Sequence, residues 1–392
     1  MRASLCKALI TLSMSLTPPA IAQSTPIPPA GWNGFVRALD AYARRDSVVG
    51  GGALVVRGGR VLARHDFGAA DRDRHQPVEE QTLFHYASIT KTFTAVAVMQ
   101  LRDRGLLSLD DRVTKWIPEL REVHDAYGSM DDLTIRMLLS HSSGLQNPTW
   151  PWRTGAPWEP FEPTRWEQLV AMMPWQELHF APGSRFGYSN PAFIYLARIV
   201  ELVSGDSYGS YVRKNIWTPL GMTDSYFGIT PPRLSAARSN RYTLARDTGG
   251  RESVVAGGRE FDPGITIPNS GWNAPLTDVA TWVSFLTGST ANDAVLRHAT
   301  LEEMWHPVVP VPPGDESYGD TMGLSFFLFN RAGATLVGHY GDQGGFRSFF
   351  VLNPATSAAV VFVVNTSNEV DPEHSLQGLN AVREAALRLL EP

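Results

Sequence analysis

Apolar positions along the chain change their period twice, dividing it into three parts. Over residues 32–43 they recur at helical spacing, which predicts an amphipathic helix. Residues 53–56 and 61–67 are short β-rich runs, and the Arg57-Gly58-Gly59 break between them is a hairpin signal. The middle of the chain reads mainly helical. Residues 89–104 carry its strongest helical pattern, ended by Gly105, and shorter ones follow at 133–140, 164–173, 191–203 and 208–216. In the last third the period shortens again. Runs at 322–329, 335–339, 346–352 and 358–365 are short, apolar and β-branched or aromatic, separated by Gly, Asn and Pro, and they read as consecutive antiparallel strands. A final helical pattern covers 372–390. Strands near both ends with helices between them predict an α+β fold: an antiparallel sheet built from both chain ends, flanked by helices, with a mainly helical region inserted. The sheet part falls at about 32–85 and 275–392, and the helical part at about 86–274. No internal repeat is present.

The first residues follow a different logic. Arg2 and Lys7 flank the start, an apolar stretch covers 8–16, and Ala20-Ile21-Ala22 is an A-x-A cleavage pattern, so 1–22 reads as a signal peptide. The stretch is too short to span a bilayer. The expectation is a periplasmic or secreted protein with no membrane insertion after cleavage. Residues 23–31 are a Pro-rich tether, and 32–392 form the domain. A second loop, 147–163, is rich in Pro and Trp, and a loop of that length inside a domain is usually functional.

Composition narrows the function classes. With 43% hydrophobic residues in 392, the chain can bury one large core or two lobes. Its formal charge of -5 gives no footing for nucleic acid. The only cysteine, Cys6, leaves with the signal segment, so the mature fold has no disulfide and rests on packing. Ten histidines contain no H-E-x-x-H, which leaves metal catalysis without support, and His141 in its Ser-rich turn reads as structural.

Three clusters carry chemistry. In the first, Ser88 stands where a loop enters a helix and Lys91 follows three residues later, on the same helical face. A serine hydroxyl needs a base to become nucleophilic, and a lysine serves if burial lowers its pKa. Lys91 has apolar neighbours (Phe84, Phe93, Val96) and is one of three lysines beyond residue 22, with Lys115 and Lys214, which argues against a chance solvated side chain. The helix start also aims free N–H groups at an oxyanion. In the second cluster, Gly187-Tyr188-Ser189-Asn190, a phenol near the lysine can relay protons, and Asn190 offers an amide to the lysine or to a substrate carbonyl. The third, Gly338-His339-Tyr340-Gly341-Asp342-Gln343-Gly344-Gly345, breaks two strands with glycine, where a ligand can approach the backbone.

Together and in this order, the three clusters resemble the serine β-lactamase and penicillin-binding-protein superfamily, in its class C-related branch with D-aminopeptidases and esterases. Leu138-Leu139-Ser140-His141-Ser142-Ser143-Gly144-Leu145, Pro219-Leu220-Gly221-Met222 and Leu276-Thr277-Asp278 match the habits of that branch, and the likeness spans about 35–365. The resemblance implies Ser88 as nucleophile, Lys91 as its helper, and Tyr188 as general base with Asn190 as motif partner. It places His339 and Gly341 on the strand lining the cleft. It also implies an oxyanion site at the N–H groups of Ser88 and Asp342, and substrate contact at Gln146. No metal or organic cofactor is required.

One departure matters. The branch's β-lactamases carry Lys-Thr-Gly where this chain has His339-Tyr340-Gly341, and a histidine is mostly neutral near pH 7. Efficient β-lactam hydrolysis is therefore less expected than turnover of esters, amides or peptides, unless Arg347 points inward and restores the charge. The expectation is a serine hydrolase acting through an acyl-enzyme on a small-molecule or peptidic substrate, with a class C-like β-lactamase as the alternative. Trp272 and the 147–163 loop would supply apolar walls. Of another class is a silent module that binds cell-wall fragments, against which stands the joint presence of Ser88, Lys91 and Tyr188. The Gly205-Asp206-Ser207-Tyr208-Gly209 match to a nucleophile elbow lacks the preceding strand that such an elbow needs.

Overall fold

The apolar runs of both chain ends meet in one sheet. The computed structural model describes residues 27–145, 163–260, 262–312 and 319–391. The predicted signal segment, Gln146 and nearly all of the Trp-rich loop lie outside them. Nine strands pair in the order Gln76–Pro77, Arg60–Asp71, Gly50–Arg57, Ala358–Val364, Phe346–Asn353, Ala334–Gln343, Phe327–Arg331, Thr321–Met322 and Val309–Pro310. Every pairing among them is antiparallel. At the centre Gly51 faces Val364 and Arg57 faces Ala358, so the first strand closes onto the last.

Both faces of this sheet are covered, which is why its central strands read as nearly continuous apolar runs. The two-residue period sorts their side chains into two cores. Ala53, Val55, Phe349, Val351, Val360 and Phe362 pack beneath the helices Trp32–Arg45 and Pro372–Leu389. Leu54, Val56, Phe350, Leu352, Val361 and Val363 face the helical region on the other side. There the helix Lys91–Asp103 is buried all round from Lys91 to Leu101, as suits a helix driven through the middle of a core.

The structure departs from the sequence pattern in three places. The run at 322–329 is two strands, because the chain breaks at Ser325 (φ 68°) and Gly323, where a Cβ would lie 2.4 Å from the Met304 carbonyl oxygen. The predicted helix at 89 begins earlier, as a tight turn over Ala87–Thr90. Within the mainly helical stretch, Arg241–Arg246 and Glu252–Gly258 form a hairpin whose first strand also pairs in parallel with Thr366–Asn368. Trp272–Pro275 pairs with Leu83–His85 on one side and Tyr226–Phe227 on the other. The second strand of the hairpin is almost wholly exposed, and its apolar residues, Val254, Val255 and Ala256, are consecutive, so it carries no apolar alternation to read.

His85 links the last of these small sheets to the main one. Its Nδ1 lies 3.1 Å from Asn273 Oδ1 and its Nε2 3.0 Å from Gln343 Oε1. Burial, with the Arg238 charge adding, lowers its pKa from 6.5 to about 4. Between those values the unfolded chain binds a proton that the folded state refuses, so stability falls on acidification through that window. The expected loss is about 3 kcal/mol, levelling off below pH 4. Urea midpoints of His85→Gln across the same window should be correspondingly flatter; a profile as steep as the parent's would clear His85 of this role.

Candidate active site

Ser88 sits partly exposed on the turn Ala87–Thr90, and main-chain contacts hold that turn from two directions. Tyr86 N–H donates to the Trp272 carbonyl at 2.9 Å, and Trp272 N–H donates to Thr90 Oγ1 at 2.9 Å. Thr90 Oγ1 in turn donates to the Ala87 carbonyl at 2.6 Å. From the main sheet, Ser348 Oγ donates to the Tyr86 carbonyl at 3.0 Å. These ties hold Ala87 in the left-handed region (φ 46°), a strained state for a residue with a Cβ, directly before the serine.

Lys91 is fully buried beneath Ser88. Its Nζ lies 3.0 Å from Ser88 Oγ, 2.8 Å from Asn190 Oδ1 and 2.9 Å from the Asn269 carbonyl oxygen. Burial holds its pKa well below the usual lysine range. A neutral amine has two donors and one lone pair. Two of its three partners are carbonyl oxygens that can only accept; the third, Ser88, can donate. The contacts suit three donated N–H bonds from an ammonium, or two donated bonds from a neutral amine whose lone pair faces the serine hydroxyl, and burial favours the neutral form.

Tyr188 is brought over the same nitrogen, with Lys91 Nζ 4.9 Å from its ring centroid and 5.5 Å from that of Phe193. The segment ends in the helix Asn190–Ser204, whose first turn is capped by Ser189 Oγ accepting from Ala192 N–H at 3.2 Å. Pro191 in that first turn needs no N–H partner. Asn190 is thereby placed to hold the lysine.

The strand Ala334–Gln343 crosses the Ser88 turn. At Gly341 a Cβ would lie 2.2 Å from the Tyr86 carbonyl oxygen and 3.1 Å from Ala87 Cβ, so only glycine allows this approach. His339, on the same face, is fully buried, and its Nδ1 donates to the Tyr340 carbonyl at 2.7 Å. Burial, reinforced by any charge on Lys91, keeps its imidazole well below the usual pKa range and hence neutral. Gln343 and Phe346 close the hairpin around Gly344 and Gly345, both at positive φ. In a two-residue hairpin that closing pair is hydrogen-bonded, so the alternation of the ladder turns the N–H of Asp342 away from the partner strand. Beyond Gly338 no strand among the described residues pairs on that side.

Arg347 does not take the place of a cleft lysine. It lies across from Asp342, one residue out of phase with Phe346 and Ser348, on the face covered by the terminal helices. Its Nη1 donates to Ser375 Oγ at 2.7 Å and Tyr42 Oη at 3.3 Å, and its Nε lies 3.1 Å from Asp342 Oδ2. Trp272 is likewise not a cleft wall. It is fully buried, 4.7 Å from both Tyr86 and Phe93 by ring centroids, with Nε1 donating to Ser225 Oγ at 3.1 Å. It braces the Ser88 turn from behind. Gly205 ends the helix Asn190–Ser204 in a left-handed cap and Ser207 bonds Ser210, so the Gly205–Gly209 stretch is a link between helices, not a strand-borne elbow. Asn269 went unnoticed in the sequence, because it acts through its carbonyl and a backbone group leaves no residue-type signal.

Serine, buried amine, phenol and glycine-opened strand on this sheet define the class. Residues 35–383 match the sequence model of the Beta-lactamase family, and the chain belongs to that family. It is 32% identical over 194 residues to Penicillin-binding protein 4* of Bacillus subtilis (strain 168), covering 49% of this chain and 40% of that protein. Protein flp of Staphylococcus aureus (strain COL) is 25% identical over 330 residues, 84% of this chain and 62% of that one. The chain thus spans 40% and 62% of the length of these two relatives, less than two thirds of either. Among solved structures, the octameric penicillin-binding protein homologue from Pyrococcus abyssi superimposes with a TM-score of 0.73 at 26% identity, over 92% of this chain and 78% of that chain. The D-amino acid amidase from Ochrobactrum anthropi SV3 shares the fold with a TM-score of 0.73 at 22% identity, over 91% and 98%.

Proposed function

We propose that this protein is an exported serine hydrolase that forms an acyl-enzyme on Ser88 and cleaves a small amide, ester or peptide bond, of the kind handled by D-amino acid amidases and penicillin-binding proteins. The observation that carries it is the Lys91 amine, buried and held by two carbonyl oxygens with its third contact on Ser88 Oγ. As Oγ bonds to the substrate carbonyl carbon, its proton passes to the Lys91–Tyr188 pair. The carbonyl oxygen, now negative, rests on the N–H groups of Ser88 and Asp342. Tyr188 returns a proton to the leaving group as the carbonyl re-forms, and water then releases the acyl group. Export rests on the signal pattern of residues 1–22.

A fluorophosphonate probe should add to Ser88 alone, seen by peptide mass mapping. Ser88→Ala should lose both the adduct and turnover of p-nitrophenyl esters and D-alanyl amides, by at least about 10⁴-fold. An unlabelled parent protein points to a silent binding module, and a labelled Ser88→Ala variant to another nucleophile. The β-lactamase reading draws support from the family but meets a neutral His339 where a cation would be needed. Nitrocefin should be the poorest substrate in the same panel.

A further inference from the structure

His141 grips the chain on both sides of Tyr188. Its carbonyl oxygen accepts from Gly187 N–H at 2.8 Å, and its ring Nδ1 accepts from Ser189 N–H at 2.9 Å. Between those two bonds its imidazole stacks on the Tyr188 ring, with centroids 4.4 Å apart and planes 20° from parallel. Phe193 and Phe186 close in at 5.1 and 6.0 Å, and the residue is fully buried. To reach all three attachments its backbone takes a left-handed conformation, φ 55°, uncommon for a residue with a side chain. The Ser189 N–H can only donate, so Nδ1 must be bare and the ring proton must sit on Nε2. Burial, with Lys91 and His339 nearby, favours that neutral form.

We infer that His141 is a positioning residue for Tyr188: one neutral tautomer fixes the backbone before and after the phenol and the plane of its ring, and so sets where the phenol stands relative to Lys91 and Ser88. The inference rests on the reading of Tyr188 as the proton carrier. It predicts a specific hierarchy among substitutions. Asparagine at 141 places an acceptor oxygen near the Nδ1 position and tolerates positive φ, but loses the stack. Phenylalanine keeps a stacking ring and loses the acceptor. Alanine loses both.

The test is steady-state kinetics on a p-nitrophenyl ester, with each variant normalised to sites titratable by the fluorophosphonate, so that a misfolded fraction does not count. His141→Ala should lower kcat about 30- to 100-fold with KM within about threefold. His141→Asn should recover at least tenfold of that loss, and more than His141→Phe recovers. In a Tyr188→Phe background the effect of His141→Ala should vanish, because the positioned group is gone. Equal kcat per titrated site across the series, or an undiminished effect in the Tyr188→Phe background, overturns the inference. A Tyr188→Phe enzyme of normal kcat overturns the underlying reading instead.

Discussion

Lys91→Met is expected to lower kcat by roughly 10²- to 10⁴-fold, the usual worth of a positioned general base, while the protein stays folded. Methionine fills much of the same volume and needs no solvation. The loss it causes is local: the Asn269 carbonyl and Asn190 Oδ1 each lose a donor. An unsatisfied buried acceptor costs about 1–3 kcal/mol, offset in part because no amine has to be held out of water. Near-normal turnover in this variant would remove Lys91 from the mechanism. The pH profile gives a second check. Burial lowers the Lys91 pKa well below the ordinary lysine value, so the amine loses its proton at a lower pH than a solvated lysine would. So kcat/KM should reach its plateau well below pH 10.5 and fall on acidification. A profile that climbs only near the ordinary lysine value of 10.5 would mean a charged Lys91 at neutral pH and would remove it as the base.

Gly341→Ala should be nearly as damaging although it adds one methyl group. That methyl would lie 2.2 Å from the Tyr86 carbonyl oxygen, and one partner has to yield. Gly341 is paired with Ser348 on one side only, and the turn it meets is tied from two directions. Whichever gives way, the spacing between the strand and Ser88 changes. A displacement near 1 Å is worth about 10²-fold in rate, and overpacking costs about 1–3 kcal/mol. Gly34→Ala, in the helix Trp32–Arg45 with room for a Cβ, is the control: activity unchanged, stability equal or slightly higher. If the two variants behave alike, the close approach at Gly341 is not what shapes the site.

Much of this arrangement could be read from residue order, and what could not has physical causes. Runs such as 358–365 were legible as strands because both faces are buried and every position from Ala358 to Val364 is apolar. Glu252–Gly258 lies on the surface, where nothing selects for alternation and three consecutive apolar residues give no two-residue period. Ser88 and Lys91 were legible because a helix fixes which residues share a face. Trp272 was not, since an aromatic residue between glycine and polar neighbours looks the same whether it lines a cleft or props a turn from inside. Arg347 could have been assigned by parity alone. Across the turn at Gly344-Gly345, Gly341 and Ser348 share one face, so Asp342 and Arg347 must share the other.

Ser348, which supports the nucleophile turn, is 262 residues beyond the Tyr86 carbonyl it bonds. On a ribosome Ser88 is made early, but the strand that seats it is among the last parts to emerge. On the proposed mechanism its hydroxyl gains its full setting only when the sheet closes. A finished but unfolded chain would carry Ser88, Lys91 and Tyr188 without the geometry that lets them work together.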